Sequence, residues 1–497
     1  MTGSMFTLAV ACRWSPVVYL FRNNYKYFQQ EQGGLMMNQK SIRFILILSM
    51  FIVAISFAAD SFVPTDVLST QYCTSAEISP DGKWIAYTVR VPRQATEEPG
   101  GAYGELYLIS VKTGEIFPYI TGEVSIRQVQ WHPSGEKISF VTKRDDNKKN
   151  QVWMISTAGG EAFQVTDFES GIYSYRWHPS GKKLGFISVR PDTKREKQLE
   201  KKGYEFIYFE EDLKHRNLYI QDADMSAEPE KLTEGATVWD FEFSPDGKSV
   251  AASISPKNLI DHRYMFRKIY MIDLATKKMK QISDNEGKLG NYAFSPDGSK
   301  LAYGAAKMLK DHQVSQAYVV NVSGGESKNL APPNFRGHVN WVNWKDNNTV
   351  LYRANEGVWN TLSTVKASGG ERDIILHSKE TGIVFREPSY TRDFKHFAFV
   401  GSSPEIPADL FYWQPGKKMQ RLTTLNPWIA ERDLGKQTVV QYQSRDSVTI
   451  EGLLIHPVGY EEGTQYPLVV FVHGGPEANY SNGWMTRYST PGQVMAG

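Results

Sequence analysis

The sequence predicts a mainly β chain: a seven-bladed β-propeller followed by the first part of an α/β domain. Three observations carry that expectation. A tight-turn pattern recurs about every 50 residues, a second hairpin follows in most recurrences, and a β-branched run near the end stops at His473-Gly474-Gly475-Pro476. A chain of 497 residues is also too long for one hydrophobic core, so at least two domains are expected. The formal charge of +2 gives no electrostatic footprint for nucleic acid or an anionic surface. Cys12 and Cys73 offer neither a disulfide framework nor metal-type spacing.

Residues 1–36 read as mis-called leader, with Met36 or Met37 as the true start. Met37 to Arg43 is a short basic region, followed by an apolar run from Phe44 to Ile55 and small residues at Ala58-Ala59. These are the parts of a secretory signal over 37–59, and the run is short for a spanning helix. An uncleaved anchor is the rival reading. The expected location is secreted or periplasmic, with no stable membrane association once the signal is removed.

The repeat fills 60–435. Its first copy is Ile78-Ser79-Pro80-Asp81-Gly82, followed by an alternating strand from Lys83. Trp131-His132-Pro133-Ser134-Gly135 and Trp177-His178-Pro179-Ser180-Gly181 are the next two. Phe243-Ser244-Pro245-Asp246-Gly247 and Phe294-Ser295-Pro296-Asp297-Gly298 follow, with degenerate copies at Trp344 to Asn348 and Tyr390 to Phe394. An apolar residue ends one strand, Pro-x-Gly turns the chain, and an alternating strand returns. Leu218-Tyr219-Ile220 facing Lys231-Leu232-Thr233 exemplifies the second hairpin. Two hairpins make the four strands of one blade.

Between the third and fourth copies, the charged run Arg190 to Lys202 reads as a solvated helix or exposed loop. It leads into the acidic and aromatic stretch Tyr204 to Asp212. Glu210 and Glu211 there could hold the ammonium group of a substrate, or be plain surface charge.

The pattern breaks after Trp428, and a new domain is expected over 436–497. Thr438 to Tyr442 and Val448 to Pro457 form a hairpin around Ser444-Arg445-Asp446-Ser447. Leu468-Val469-Val470-Phe471-Val472 then reads as a central strand buried on both faces. It ends in two glycines whose N–H groups no side chain covers.

A propeller followed by two strands and this glycine loop resembles the prolyl oligopeptidase family of serine peptidases, in its acylaminoacyl-peptidase and dipeptidyl-peptidase-like branch. Tyr466 to Glu477 carry the resemblance, which continues through Ser481-Asn482-Gly483-Trp484. Ser-Pro-Asp-Gly repeats alone are shared with Tol-associated propellers, so a periplasmic protein-binding module is the alternative. The hairpin has Asp446-Ser447 where the family usually has Asp-Gly.

The resemblance implies an α/β-hydrolase domain, short peptides as substrates, and an acyl-enzyme formed by a Ser-Asp-His triad under the propeller. It makes His473, Gly474, Gly475 and Pro476 the oxyanion-side loop, with a backbone N–H near Gly474 or Gly475 as donor and His473 as loop architecture. The sequence holds no Gly-x-Ser-x-Gly, so none of the triad is expected within these residues, and the chain reads as a fragment inactive alone. No metal or organic cofactor is expected.

Overall fold

In the computed structural model, residues 60–144, 148–204, 208, 210–211 and 213–497 are described. The leader and signal readings, and Glu205, Phe206, Ile207, Phe209 and Asp212, lie outside them. Seven sheets follow one another from Tyr72 to Arg421, each built from consecutive strands. Tyr72–Ile78, Trp84–Val91, Tyr103–Ser110 and Ile116–Ile120 form the first blade, all antiparallel. The seventh departs slightly: Val384–Phe385 and Ser389–Tyr390 both pair with Phe397–Ser403. The predicted seven-bladed propeller is therefore observed.

The recurring turns explain themselves at atomic level. Ser79 Oγ donates to Asp81 Oδ1 at 2.6 Å and accepts from Trp84 N at 3.0 Å, while Asp81 accepts from Lys83 N at 3.1 Å. Ser244–Asp246, Ser295–Asp297 and Thr391–Asp393 repeat the pattern. Blades two and three put His where blades one, four, five and seven have Ser or Thr, and each ring reaches the next blade. His132 Nε2 lies 2.9 Å from Gly181 O, and His178 Nε2 2.9 Å from Gly247 O. The aromatic residue before the turn also crosses between blades. Trp131 Nε1 donates to Glu77 O at 2.8 Å, and Trp344 Nε1 to Ala293 O at 2.9 Å. The motif is thus an inter-blade clasp as well as a turn.

Among the described residues, no strand is shared between the first and last blades. Side chains close the ring instead: Cys73, Ile85 and Tyr87 pack with Ala398, Val400 and Leu410 in one buried cluster. Ser389 Oγ adds a 2.9 Å hydrogen bond to Glu77 Oε2. Just outside, Asp60–Ser61 pairs in parallel with Arg432–Asp433, and Arg432 grips the Asp66 carboxylate at 2.9 and 3.1 Å.

Two further expectations are met. The charged run contains an exposed helix, Lys194–Lys201, capped by Thr193 and Glu196. Gln437–Gln443 and Thr449–Ile455 form the hairpin, with Ser447 at φ 63° where a glycine would be relaxed.

The central strand is not. Residues 464–474 make no ladder, and Leu468 and Val472 are 74% and 84% exposed. The physical reason is the lack of a partner. A strand is stable only when neighbours take up its N–H and C=O groups, and the adjacent hairpin pairs with itself. β-branched composition supplies propensity without supplying that neighbour.

Candidate functional site

The first strand of every blade runs along the propeller's central channel, with alternate side chains turned inward. One register level, the residue before the clasping aromatic or aliphatic, holds Glu77, Gln130, Arg176, Glu242, Asn343 and Ser389, with Ala293 in blade five as the apolar exception. On the Pro-x-Gly side of blades five, six, seven and one lies a hollow of about 620 Å³, lined in part by Glu77, Trp341, Asn343, Ser389, Tyr390 and Arg392. Inside the channel, Arg176 lies 3.6 Å from Asp240. Burial raises the Glu77 carboxyl to about 7, although Ser389 and Arg176 act the other way. Burial likewise raises Glu242 to about 8; Asp240 adds to that rise and Arg176 opposes it. Sequence reading missed these groups. Their signal was the single column preceding the repeat's aromatic, where charged and polar residues recur in an otherwise apolar pattern.

The strands' opposite ends form the second face, and the glycine loop is moored there. Gly475 sits at φ 125°, and a Cβ on it would lie 2.7 Å from Ala478 Cβ, so the turn requires glycine. Nothing lies within 4 Å of a Cβ position at Gly474, which leaves the backbone there open to an approaching group. The His473 ring packs edge-on against Tyr480 at 5.7 Å, and its Nδ1 lies 3.2 Å from Gly474 O.

Immediately after Pro476, Glu477 pairs with Lys288 at 2.7 Å, at the entry to the fifth blade. Burial works against the Lys288 ammonium, but Glu477 and Asp311 outweigh it and hold its pKa up. Burial keeps the nearby His338 imidazole below its ordinary value, only partly offset by the Glu477 backbone. Asn479 accepts from Asn355 Nδ2 at 2.7 Å and donates to Gly357 O at 3.0 Å, while Asn482 N donates to Val358 O at 2.8 Å. The sixth-blade turn at Gly357-Val358 also receives the hairpin: Val358 N donates to Glu451 Oε2 at 3.1 Å. The loop is therefore held by side chains of two blades, although its leading run has no ladder.

Glu210 and Glu211 are exposed, on the long connection between the second and third strands of blade three. Glu210 has φ 63°. Among the described residues, no contact links either to the His473 loop.

On the same face of blades three and four, rings and guanidinium groups alternate. Arg216 lies between Tyr173 at 4.4 Å and Trp239 at 4.8 Å, and Arg263 continues the stack to Tyr264 at 5.8 Å. Among the described residues, no helix is long and apolar enough to cross a membrane.

No family model matches the chain. It is 23% identical over 309 residues to the probable dipeptidyl-peptidase 5 of Aspergillus flavus, covering 59% of this chain and 41% of that protein. It is 25% identical over 499 residues to the uncharacterized peptidase YuxL of Bacillus subtilis, covering 87% and 68%. Its fold matches the acylaminoacyl peptidase of Pyrococcus horikoshii with a TM-score of 0.66 at 17% identity, over 88% of this chain and 65% of that one. The chain thus spans well under half the length of the fungal relative it matches. Propeller, glycine loop and these likenesses agree: the chain's homologues are peptidases of the prolyl oligopeptidase type.

Proposed function

We propose that the chain supplies the propeller (60–435) and the oxyanion-side segment (436–497) of a secreted or periplasmic serine-type peptidase that cleaves short peptides through an acyl-enzyme. Nucleophile, acid and base lie outside these 497 residues, which contain no Gly-x-Ser-x-Gly. The observation that carries the reading is the mooring of the His473-Gly474-Gly475-Pro476 loop to the propeller through Glu477–Lys288 and Asn479. A preorganised N–H beside Gly474 would stabilise a developing oxyanion by a few kcal/mol. The ring of blades above it admits short or unfolded peptides and excludes folded ones.

The test is to express the frame continued past Gly497 and treat it with a fluorophosphonate probe. Labelling of one serine, with turnover of acylated or unblocked dipeptidyl amides, is expected. A continued frame with no Gly-x-Ser-x-Gly and no labelling overturns the reading. Stable capture of a protein partner by the propeller would then favour a binding module. Glu210 and Glu211 remain candidates for the substrate's amino terminus. Changing both to Gln should raise KM for unblocked peptides and leave acylated ones unchanged.

A further inference from the structure

Arg353 lies on the second strand of blade six and is only 8% exposed. Its Nε donates to Phe385 O at 2.8 Å and its Nη1 to Asn340 Oδ1 at 3.0 Å, both neutral acceptors. It forms no ion pair among the described residues, although Glu387 is near enough to act on it electrostatically. A buried guanidinium without a carboxylate against it is costly, and such a group persists mainly where a counter-ion arrives.

The guanidinium borders a cavity of about 360 Å³ between blades six, seven and one and the segment 479–487. That lies within the range of small-ligand pockets, roughly 300–1,000 Å³. Arg90, Arg386 and Arg487 also line it, with Tyr72 and Asn360 as further polar groups. Those three arginines are exposed, and none makes an ion pair among the described residues. The buried carboxylate of blade seven, Asp409, is already held by Arg421 at 2.6 Å and by Thr423. Four cationic forks therefore meet in one cavity, and no acidic residue is among its lining groups. Asn479 and Tyr480, three and four residues beyond Pro476, form part of the wall, so the cavity adjoins the glycine loop.

We infer that this cavity binds the terminal carboxylate of a short peptide, with Arg353 at its base and Arg487 at its mouth. A planar carboxylate matches a guanidinium fork with two parallel hydrogen bonds, which a spherical ion does not. The choice of a peptide as the bearer rests on the peptidase reading; the binding itself needs no hydrolysis. A terminal carboxylate fixed here would set how many residues reach the His473 loop, acting as a length ruler.

The experiment is calorimetric titration of the 497-residue chain with four probes: acetyl-trialanine as free acid, its carboxamide, acetyl-Ala-Asp-Ala-amide and sodium phosphate. The free acid should bind at least tenfold more tightly than the carboxamide. Arg487→Gln, at an exposed position, should remove most of that preference, and Arg353→Gln all of it, provided circular dichroism shows the latter still folded. Equal binding of acid and carboxamide overturns the inference, as does a preference surviving Arg487→Gln. If the internal aspartyl peptide matches the free acid, or phosphate alone competes equally well, the assignment to a terminal carboxylate is overturned. A chain that prefers the acid, while its continued frame is not labelled by fluorophosphonate, retains this site and loses only the peptidase reading.

Discussion

Two stretches of similar composition meet opposite fates in this molecule. Phe397-Ala398-Phe399-Val400 is fully paired in blade seven, and its two phenylalanines are completely buried. Leu468-Val469-Val470-Phe471-Val472 is at least as rich in β-branched residues, yet it stands unpaired and exposed. The difference lies in what surrounds each stretch. In a blade, every strand has a consecutive neighbour a turn away, whereas the second stretch follows a hairpin already closed on itself. Strand-forming residues become a strand only when a ladder is offered.

The most direct way to break this comparison is to truncate one side chain in each. Phe397→Ala should cost about 3–5 kcal/mol, since it removes an aromatic from a cluster with Phe399, Phe411 and Trp413. Val472→Ala should stay within about 0.5 kcal/mol. Urea unfolding of both variants would check it; comparable losses would mean that the second stretch is packed after all.

A smaller effect tests the clasps between blades. Gly247 has φ 69°, and a Cβ there would lie 2.3 Å from His178 Nε2. Gly247→Ala should therefore destabilise by about 1–3 kcal/mol, through strain and loss of the bond from His178 to its carbonyl. Gly235→Ala serves as a control. It also has a positive φ, at 72°, but nothing lies within 4 Å of its Cβ position. A melting temperature lowered equally by both would assign the whole effect to backbone strain.

These clasps also show how much of the molecule was legible. The blades could be read because the turn pattern recurs about every 50 residues and each local choice agrees with the global fold. The inter-blade bonds of Trp131, Trp344 and His178 were not legible, since a pattern shows that a residue recurs and not what it touches. The glycine loop was recognisable from four residues, but its mooring by Lys288 and Asn355 joins positions 189 and 124 residues apart in sequence. In sequence, Arg353 is one of several polar residues of a strand that also holds Thr349, Asn355 and Glu356. Only burial without a counter-ion sets it apart.

The channel gives an effect of opposite sign. The Glu242 carboxyl has its folded pKa raised to about 8 from an ordinary 4.5, with burial the main cause. Above the unfolded value, the folded protein therefore binds more protons than the unfolded chain. Stability falls as pH rises from about 4.5, and the penalty is complete only above about 8. Glu242→Gln should raise the melting temperature by a few degrees at pH 8.5 and leave it unchanged at pH 4.5. A gain of equal size at both pH values would mean that the amide simply packs better.

The smallest effect in the present chain sharpens the opening contrast furthest. Val470 is 70% exposed, so Val470→Asp should change stability by no more than about 0.5 kcal/mol here. The same substitution in a frame continued past Gly497 distinguishes two accounts of the run. If the run is a linker by nature, the charge is tolerated there too. If it takes its place between neighbouring strands, an unpaired carboxylate would be buried, and the loss should reach several kcal/mol together with activity. A large cost in the longer frame and almost none in the shorter one would show that the sequence encodes a central strand whose ladder comes from elsewhere. The loop at His473 would then be placed by two supports, the propeller moorings seen here and a sheet formed around residues 466–472.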